Sequence, residues 1–249
     1  MDVITSVNNE TVKECAKLQQ KKYRVEKFLL EGLKPVKEAI SSGLKIDRIF
    51  VNQNRKDFAE EFKNFNLILT TEPILKKLST TETAPEIVAV AYQKKFDVDN
   101  LKGLNKVILL ENIKDAGNLG TIIRTAKALD FDAVVLYGET VDIYNPKTVR
   151  SAVGNLWKLP VVHINDFKTL KNIFGDYERI ATLPKSEQKL AEFTPKMPLL
   201  LMFGSEADGL TQPLIKFAST SLTIEMNKDV ESLNLSISAG IIMYQISSF

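Results

Sequence analysis

The sequence is poor in the residues that most metal centres and disulfide scaffolds require. Its 249 residues include one cysteine and one histidine, Cys15 and His163. This excludes a disulfide framework, a Cys/His zinc site and any catalytic triad that needs a histidine other than His163. A metal-dependent hydrolase is disfavoured as well, because no motif gathers a cluster of carboxylates. We therefore predict a protein without a metal site that works in a reducing compartment.

Targeting signals and long apolar runs are also missing. The first ten residues, MDVITSVNNE, lack the basic-then-apolar pattern of a signal peptide. No run approaches the roughly 18 apolar residues of a membrane span. Neither G-x-G-x-x-G nor a Walker loop follows a strand-like segment, so the usual nucleotide sites are not indicated. We expect a cytoplasmic protein with no membrane segment, whose cofactor, if it has one, binds by another geometry.

Charge is distributed unevenly, although the net charge is only +2. Residues 13–27 hold six lysines and arginines against two acids. A possible stacking ring, Tyr23, lies within this basic stretch, a combination suited to RNA phosphates and bases. The ordinary alternative is a solvated helix face. We predict RNA contact by the following residues: Lys13, Lys21, Lys22, Tyr23 and Arg24.

Periodicity divides the chain into two α/β parts. Residues 1–95 alternate short strands and helices and predict a smaller domain, followed by a polar linker at 96–105. In residues 106–249, near-continuous apolar strands alternate with amphipathic helices, which is typical of a mostly parallel sheet covered on both faces. The last helix is expected over 232–246, with Ser232 as its cap and the following buried stripe: Leu233, Ile237, Ile241 and Tyr244.

Three polar turns follow strands of the second part. They read N-x-G-x-x-x-R at 118–124, G-S-E-x-x-G at 204–209 and E-S-L-N at 231–234. Because ligands bind at the carboxyl ends of strands in such sheets, these turns are candidates for one site. Taken singly, each has a plain structural alternative: a surface ion pair for Arg124, an ordinary strand-to-helix loop for 204–209, and a well-capped helix at the C-terminus.

Taken in order, the three turns resemble the motifs of the SpoU (TrmH) family of RNA ribose 2′-O-methyltransferases. Residues 148–162 resemble that family's stretch between motifs. Residues 4–32 resemble the ribosomal-protein-L30e-like RNA-binding domain that precedes the catalytic domain in many members. One departure is Glu225, where the family often has proline before methionine.

The resemblance implies a parallel α/β catalytic domain whose C-terminal segment forms a trefoil knot. It implies S-adenosylmethionine as cofactor, held by backbone groups of the knotted loops. The implied catalytic residues are Asn118, Arg124, Glu206, Ser232 and Asn234. The implied cofactor-binding residues are Phe203, Gly204, Gly209, Ile224, Met226, Ser232 and Leu233. An arginine is a poor general base, so we interpret Arg124 as a positioning and electrostatic residue.

The resemblance further implies a homodimer that packs the knotted region and the last helix across its two-fold axis. The predicted reaction is methyl transfer to a ribose 2′-hydroxyl of RNA, with ribosomal RNA favoured by the extra N-terminal domain. Transfer RNA is the nearest alternative. A non-catalytic RNA-binding or ribosome-assembly protein is the alternative of a different class, and the complete set of polar motif residues argues against it.

Overall fold

The computed structural model describes residues 3–248. Met1, Asp2 and Phe249, at the ends of the predicted domains, lie outside the described residues. The strands are β1 Val3–Ile4, β2 Lys27–Glu31, β3 Ile46–Asn52, β4 Leu67–Thr70, β5 Ile87–Tyr92, β6 Lys106–Glu111, β7 Ala133–Tyr137, β8 Val161–Ile164, β9 Glu178–Thr182, β10 Leu199–Phe203 and β11 Thr220–Leu222. The helices are α1 Glu10–Lys17, α2 Leu33–Ser41, α3 Lys56–Glu61, α4 Glu72–Leu78, α5 Ala116–Ala128, α6 Pro146–Ala152, α7 Phe167–Phe174, α8 Gln212–Phe217 and α9 Leu235–Ser247.

The chain forms two compact units. The first contains residues 1–95 together with 142–157, and the second contains 96–141 and 158–249. The segment 142–157, which includes α6, therefore packs with the first unit although it lies between the motifs of the second. The predicted linker is ordered in part, because Leu101 in a short 3-10 turn is fully buried in the core of the second unit.

The first unit is built on a five-stranded mixed sheet in the order β1-β4-β3-β5-β2. Strands β1, β4 and β3 are parallel, and β5 runs antiparallel to both β3 and β2. Apolar residues of α1 and α4 cover the sheet. The core that they form with it includes Val12, Leu29, Phe50, Ile74, Leu78 and Val88.

Segment 142–157 is attached to the first unit by rings and ion pairs. Tyr144 packs against Phe28 with ring centroids 4.6 Å apart. The side chain of Arg24 is only 2% exposed, and its Nε donates to Asp142 at 2.8 Å. Arg150 donates to the buried Glu31 at 3.0 Å. These contacts bury both polar and apolar groups of a segment that the sequence alone assigns to the second half of the chain.

The second unit confirms the predicted parallel sheet. Its six strands run in the order β11-β9-β10-β6-β7-β8, and each neighbouring pair is parallel. Helices α7 and α8 cover one face, where Leu170, Phe174 and Leu214 join the core. Helices α5 and α9 pack against each other, and Thr125 lies against Gly240. The predicted trefoil knot stays a prediction.

The last helix differs from its prediction in both its start and its buried face. It begins at Leu235 with Asn234 as its cap, whose side chain accepts from the amides of Ser236 and Ile237. The stripe predicted to be buried is exposed at Ile237, Ile241 and Tyr244, whereas the buried residues are Ala239, Ile242, Met243 and Ile246. Because the helix is apolar on nearly all sides, periodicity alone did not indicate which face packs inward.

Helix α1 begins at Glu10 with Asn9 as its cap. The Asn9 side chain accepts from the amides of Thr11 and Val12. Within residues 3–248, no helix is long and apolar enough to cross a membrane. The same residues contain no group of histidine, cysteine and carboxylate side chains that could hold a metal ion.

Candidate active site

The candidate site lies in the second unit, at the carboxyl ends of its central strands. Strand β6 ends at Glu111 and leads to α5, while β10 ends at Phe203 and leads to the loop 204–210. These two strands are paired, with Leu110 opposite Phe203. The sheet therefore brings the first and second motifs to the same edge, as the rule for ligand sites in parallel α/β sheets predicts.

Asn118 joins all three motifs through its side chain. Its Nδ2 donates to Oε1 of Glu206 at 2.8 Å, and its Oδ1 accepts from Nδ2 of Asn234 at 3.1 Å. Its own amide donates to Asp115, the N-cap of α5, at 2.8 Å. Residues separated by 88 and 116 positions in the chain thus meet at one amide group.

The loop 204–210 is closed tightly at its base. Ser205 and Gly209 exchange two backbone hydrogen bonds of 3.2 and 3.1 Å. A Cβ atom at Gly204 would lie 1.9 Å from the carbonyl carbon of Gly209, and Gly209 has a φ of +67°. Both positions therefore require glycine. The closure holds Glu206 at the exposed tip of the loop, where its carboxylate reaches Asn118.

The side chain of Asn234, in the third motif, makes hydrogen bonds in two directions. Its Oδ1 caps α9 by accepting from Ser236, and its Nδ2 donates to Asn118. Ser232, by contrast, does not cap the helix, and no hydrogen bond of its side chain is found within residues 3–248. Glu225, which replaces the family's usual proline, forms an exposed ion pair with Lys189 at 2.9 Å.

The predicted cofactor-binding residues line the loops that follow β10 and β11. Phe203 and Gly204 are buried, Gly209 is exposed, and Ile224, Met226 and Leu233 are half-buried. Among residues 3–248, the amides of these last three donate to no protein acceptor. Unpaired amides beside half-buried apolar side chains fit a ligand that is held by backbone groups around a flat ring.

Arg124 lies on α5, between one and two turns after Asn118. Its side chain is exposed, and no hydrogen bond or ion pair of it is found in the part of the chain that the structure describes. The alternative of a surface ion pair is therefore not supported. A guanidinium without a protein partner retains its full capacity to bind a phosphate in a bidentate manner.

The basic patch of the first unit is largely exposed. Tyr23 is 41% exposed, and the ammonium groups of Lys22 and Lys17 lie 4.8 and 5.6 Å from its ring centroid. Lys13 and Lys21 are exposed as well. The prediction for Arg24 is corrected, because its guanidinium is buried and donates to Asp142 and to the carbonyl of Leu18. An arginine paired in this way supports the fold instead of meeting RNA.

Three polar residues of these regions were missed. Asp115 precedes Asn118 by the three residues of a helix cap, a spacing that the sequence displays. Lys17 follows Lys13 by one turn of α1 and reaches the same ring as Lys22. Glu111 is different: its partner, Thr211, lies 100 residues away, and no local pattern indicates such a contact.

Known proteins match the chain along its whole length. Residues 105–244 match the model of the SpoU rRNA Methylase family, and residues 9–89 match the MRM3-like substrate binding domain. The 23S rRNA (guanosine(2553)-2′-O)-methyltransferase RlmP of Bacillus subtilis is 30% identical, with 99% of each chain covered. The 23S rRNA (uridine(2479)-2′-O)-methyltransferase of Streptomyces viridochromogenes is 24% identical, over 91% of this chain and 84% of that protein.

A solved structure with bound cofactor shares the fold. The AdoMet-bound rRNA methyltransferase from Sinorhizobium meliloti superimposes with a TM-score of 0.86 at 27% identity, covering 98% of this chain and 96% of the other. The fold, the three-motif site and these matches define an RNA methyltransferase that takes its methyl group from S-adenosylmethionine. The chain belongs to the SpoU rRNA methylase family, as its motifs predicted.

Proposed function

We propose that this protein methylates a ribose 2′-hydroxyl of ribosomal RNA of the large subunit. The observation that carries the proposal is the hydrogen-bonded set of Asn118, Glu206 and Asn234, with the unpaired guanidinium of Arg124 on the same helix as Asn118. The choice of RNA is supported by the relatives, several of which are named as 23S rRNA 2′-O-methyltransferases. An rRNA substrate agrees with the cytoplasmic location predicted from the sequence.

The chain's own residues supply alignment and charge for the reaction. S-adenosylmethionine, when bound, provides a methyl group already activated for attack. Arg124 binds the phosphate of the target nucleotide and stabilises the negative charge that develops on the 2′-oxygen, whose proton passes to solvent. Arginine is a poor general base, so Arg124 acts by position and charge.

Asn118 sets the relative positions of the three loops. Since its amide group bonds to both Glu206 and Asn234, a shift of any one loop breaks a contact to another. Alignment of two reactants is worth several kcal/mol, roughly 7–11 at the ideal limit, and this is what a rigid junction of loops provides. The half-buried Ile224, Met226 and Leu233, with Phe203, Gly204, Gly209 and Ser232, would hold the cofactor.

The first unit contributes RNA binding through its aromatic and basic patch, composed of Tyr23, Lys13, Lys17, Lys21 and Lys22. An exposed ring flanked by ammonium groups stacks on an unpaired base while the lysines neutralise neighbouring phosphates.

The functional domains that we propose are 1–95 for substrate binding, 96–105 as the connection and 106–249 for methyl transfer. Segment 142–157 lies within the range of the methyl-transfer domain in the sequence, but it packs with the substrate-binding domain.

A homodimer formed through α9 completes the proposal. The exposed side chains of Ile237, Ile241 and Tyr244 are spaced by four and three residues, and therefore form one apolar stripe on the outside of this helix. Tyr244 alone is 69% exposed. Sedimentation of the wild type should give a dimer. Ile241→Lys, which places a charge in the middle of the stripe, should shift the protein towards the monomer without unfolding it.

The activity is tested by transfer of labelled methyl groups. Purified protein is supplied with labelled S-adenosylmethionine and, in separate reactions, with large-subunit rRNA, assembled subunits or tRNA lacking the modification. We expect label in a large-subunit rRNA or its particle, in a 2′-O-methyl position, and none with Arg124→Ala. Label confined to tRNA would contradict the choice of RNA. Absence of both labelling and cofactor binding would favour the non-catalytic RNA-binding alternative.

A further inference from the structure

Glu111 is a buried carboxyl group that has no cationic partner within residues 3–248. It ends β6 and is only 2% exposed. Both of its oxygens accept from one residue: Oε2 from the backbone amide of Thr211 and Oε1 from the hydroxyl of Thr211, each at 2.7 Å. Burial of such a group costs free energy, so its retention at this position requires an explanation.

Thr211 is the residue at which the loop 204–210 ends and α8 begins. The other end of the loop follows β10, the neighbour of β6 in the sheet. The loop is therefore held on both sides by the same pair of strands: through the chain itself at Phe203, and through Glu111 at Thr211. Between these points, the backbone at Gly204 packs directly on that of Gly209.

We propose that Glu111 is a positioning residue that holds the cofactor loop 204–210 in its binding geometry through Thr211. It touches neither the reacting atoms nor, by its burial, the cofactor. The inference rests on the proposed function, in which Phe203, Gly204 and Gly209 hold S-adenosylmethionine and Glu206 orders the site. A displacement of the loop by about 1 Å is enough to cost roughly 10²-fold in an aligned reaction.

The test combines substitutions at both partners with a binding measurement. S-adenosylhomocysteine, the demethylated cofactor, is titrated into wild type, Glu111→Ala, Glu111→Gln, Thr211→Val and Thr211→Ser by calorimetry. We expect Glu111→Ala to raise the Kd and the KM for S-adenosylmethionine at least tenfold. Glu111→Gln retains an acceptor for the amide and a donor for the hydroxyl, and should remain within a few-fold of wild type, as should Thr211→Ser.

Asp132 provides the matched control, because it contacts the start of β6, the strand that Glu111 ends. Its carboxylate accepts from the amides of Asn105 and Lys106, both at 2.8 Å. Asp132→Asn weakens a comparable side-chain contact to the backbone and should lower the melting temperature while leaving the Kd for S-adenosylhomocysteine unchanged. Hydrogen exchange of residues 205–210 should rise in Glu111→Ala and stay unchanged in Asp132→Asn.

Two outcomes separate the inference from the function on which it rests. Failure of wild type to bind S-adenosylhomocysteine would overturn the proposed function. Tight binding by wild type, with Kd and loop exchange unchanged within twofold in Glu111→Ala or Thr211→Val, would overturn the positioning role alone. If Glu111→Ala does not fold, Thr211→Val decides, since it removes the hydroxyl and keeps the amide; a Kd raised severalfold supports the inference.

Discussion

The two units each contain a polar cluster, and the clusters differ in exposure and in remaining hydrogen-bonding capacity. In the first unit, Glu31 is buried and accepts from Ser79, Thr80 and Arg150. In the second, the half-buried Asn118 donates to the exposed Glu206, and the helix that carries Asn118 also carries Arg124, which is exposed and has no protein partner within the described residues. Saturated, buried groups fix a fold, whereas exposed groups with spare donors and acceptors are available to a substrate. Substitutions in the first cluster should therefore affect stability, and those in the second should affect activity.

The largest effect is expected from Arg24→Ala, which leaves Asp142 without its ion-pair partner. Both side chains are largely buried, so the free energy of unfolding should fall by about 3–5 kcal/mol. Urea denaturation measures this change. Lys102→Ala removes an exposed pair with Asp99 and should leave stability unchanged. An equal fall in the free energy of unfolding in Arg24→Ala and Lys102→Ala would contradict the claim that buried polar contacts matter more for stability than exposed ones.

Arg124→Ala is expected to lower the rate of methyl transfer and to leave the stability of the protein nearly unchanged. The rate of methyl transfer should fall by roughly 10²–10³-fold, the usual result of removing one group that stabilises developing charge. The melting temperature should change little, because within the described residues Arg124 makes no hydrogen bond or ion pair that would be lost. Lys127→Ala, an exposed cation one turn further along α5, serves as control and should keep full activity. A fall in stability matching the fall in rate would assign Arg124 to the fold.

Tyr23→Ala addresses the RNA-binding patch. Loss of one stacking ring should weaken RNA binding by about 1–3 kcal/mol, measured by filter binding or fluorescence anisotropy. Val25→Ala removes an apolar side chain that is even more exposed and lies two residues away, and should have no effect. Affinity for S-adenosylhomocysteine should be the same in both variants. Unchanged RNA affinity in Tyr23→Ala would leave the patch as a solvated surface.

The smallest effect is expected from the thiol of Cys15, through its reactivity and its contribution to the pH dependence of stability. Burial raises the pKa of its thiol to about 11, because the thiolate is disfavoured away from water. The native protein should therefore not react with thiol reagents at pH 8, whereas the denatured protein should react fully. Since the folded pKa exceeds the unfolded one, the stability from this residue is complete below about pH 9 and declines towards pH 11. Rapid labelling of the native protein would contradict its burial.

Local patterns predicted the elements well but not the contacts between distant ones. The strands of the second unit follow their continuous apolar runs and form the parallel sheet that these runs predicted. The buried face of α9 was predicted wrongly, because a helix that is apolar on nearly all sides has no distinct polar face to indicate which side is exposed. The burial of Arg24 against Asp142 depends on 118 intervening residues, which no local pattern encodes.

At the candidate active site, too, contacts between residues far apart in the sequence were not predicted from local patterns. The resemblance of the three motifs to those of the SpoU family implied Asn118, Glu206 and Asn234 as members of one site, and the structure places them within hydrogen-bonding distance. Spacing did not distinguish Asn234 from Ser232 as the cap of α9, since both are favourable cap residues. Glu111 was not found, because a glutamate at the end of an apolar strand has no signature of its own and its role depends on Thr211.

The most direct test of the account is a map of ribose methylation in ribosomal RNA from cells that lack this gene. Mass spectrometry is applied to rRNA from the deletion strain and from strains that regain either the wild-type gene or Arg124→Ala. We predict that one 2′-O-methyl group disappears on deletion, returns with the wild type and does not return with Arg124→Ala. An unchanged methylation map in the deletion strain, or full restoration by Arg124→Ala, would contradict the central claim.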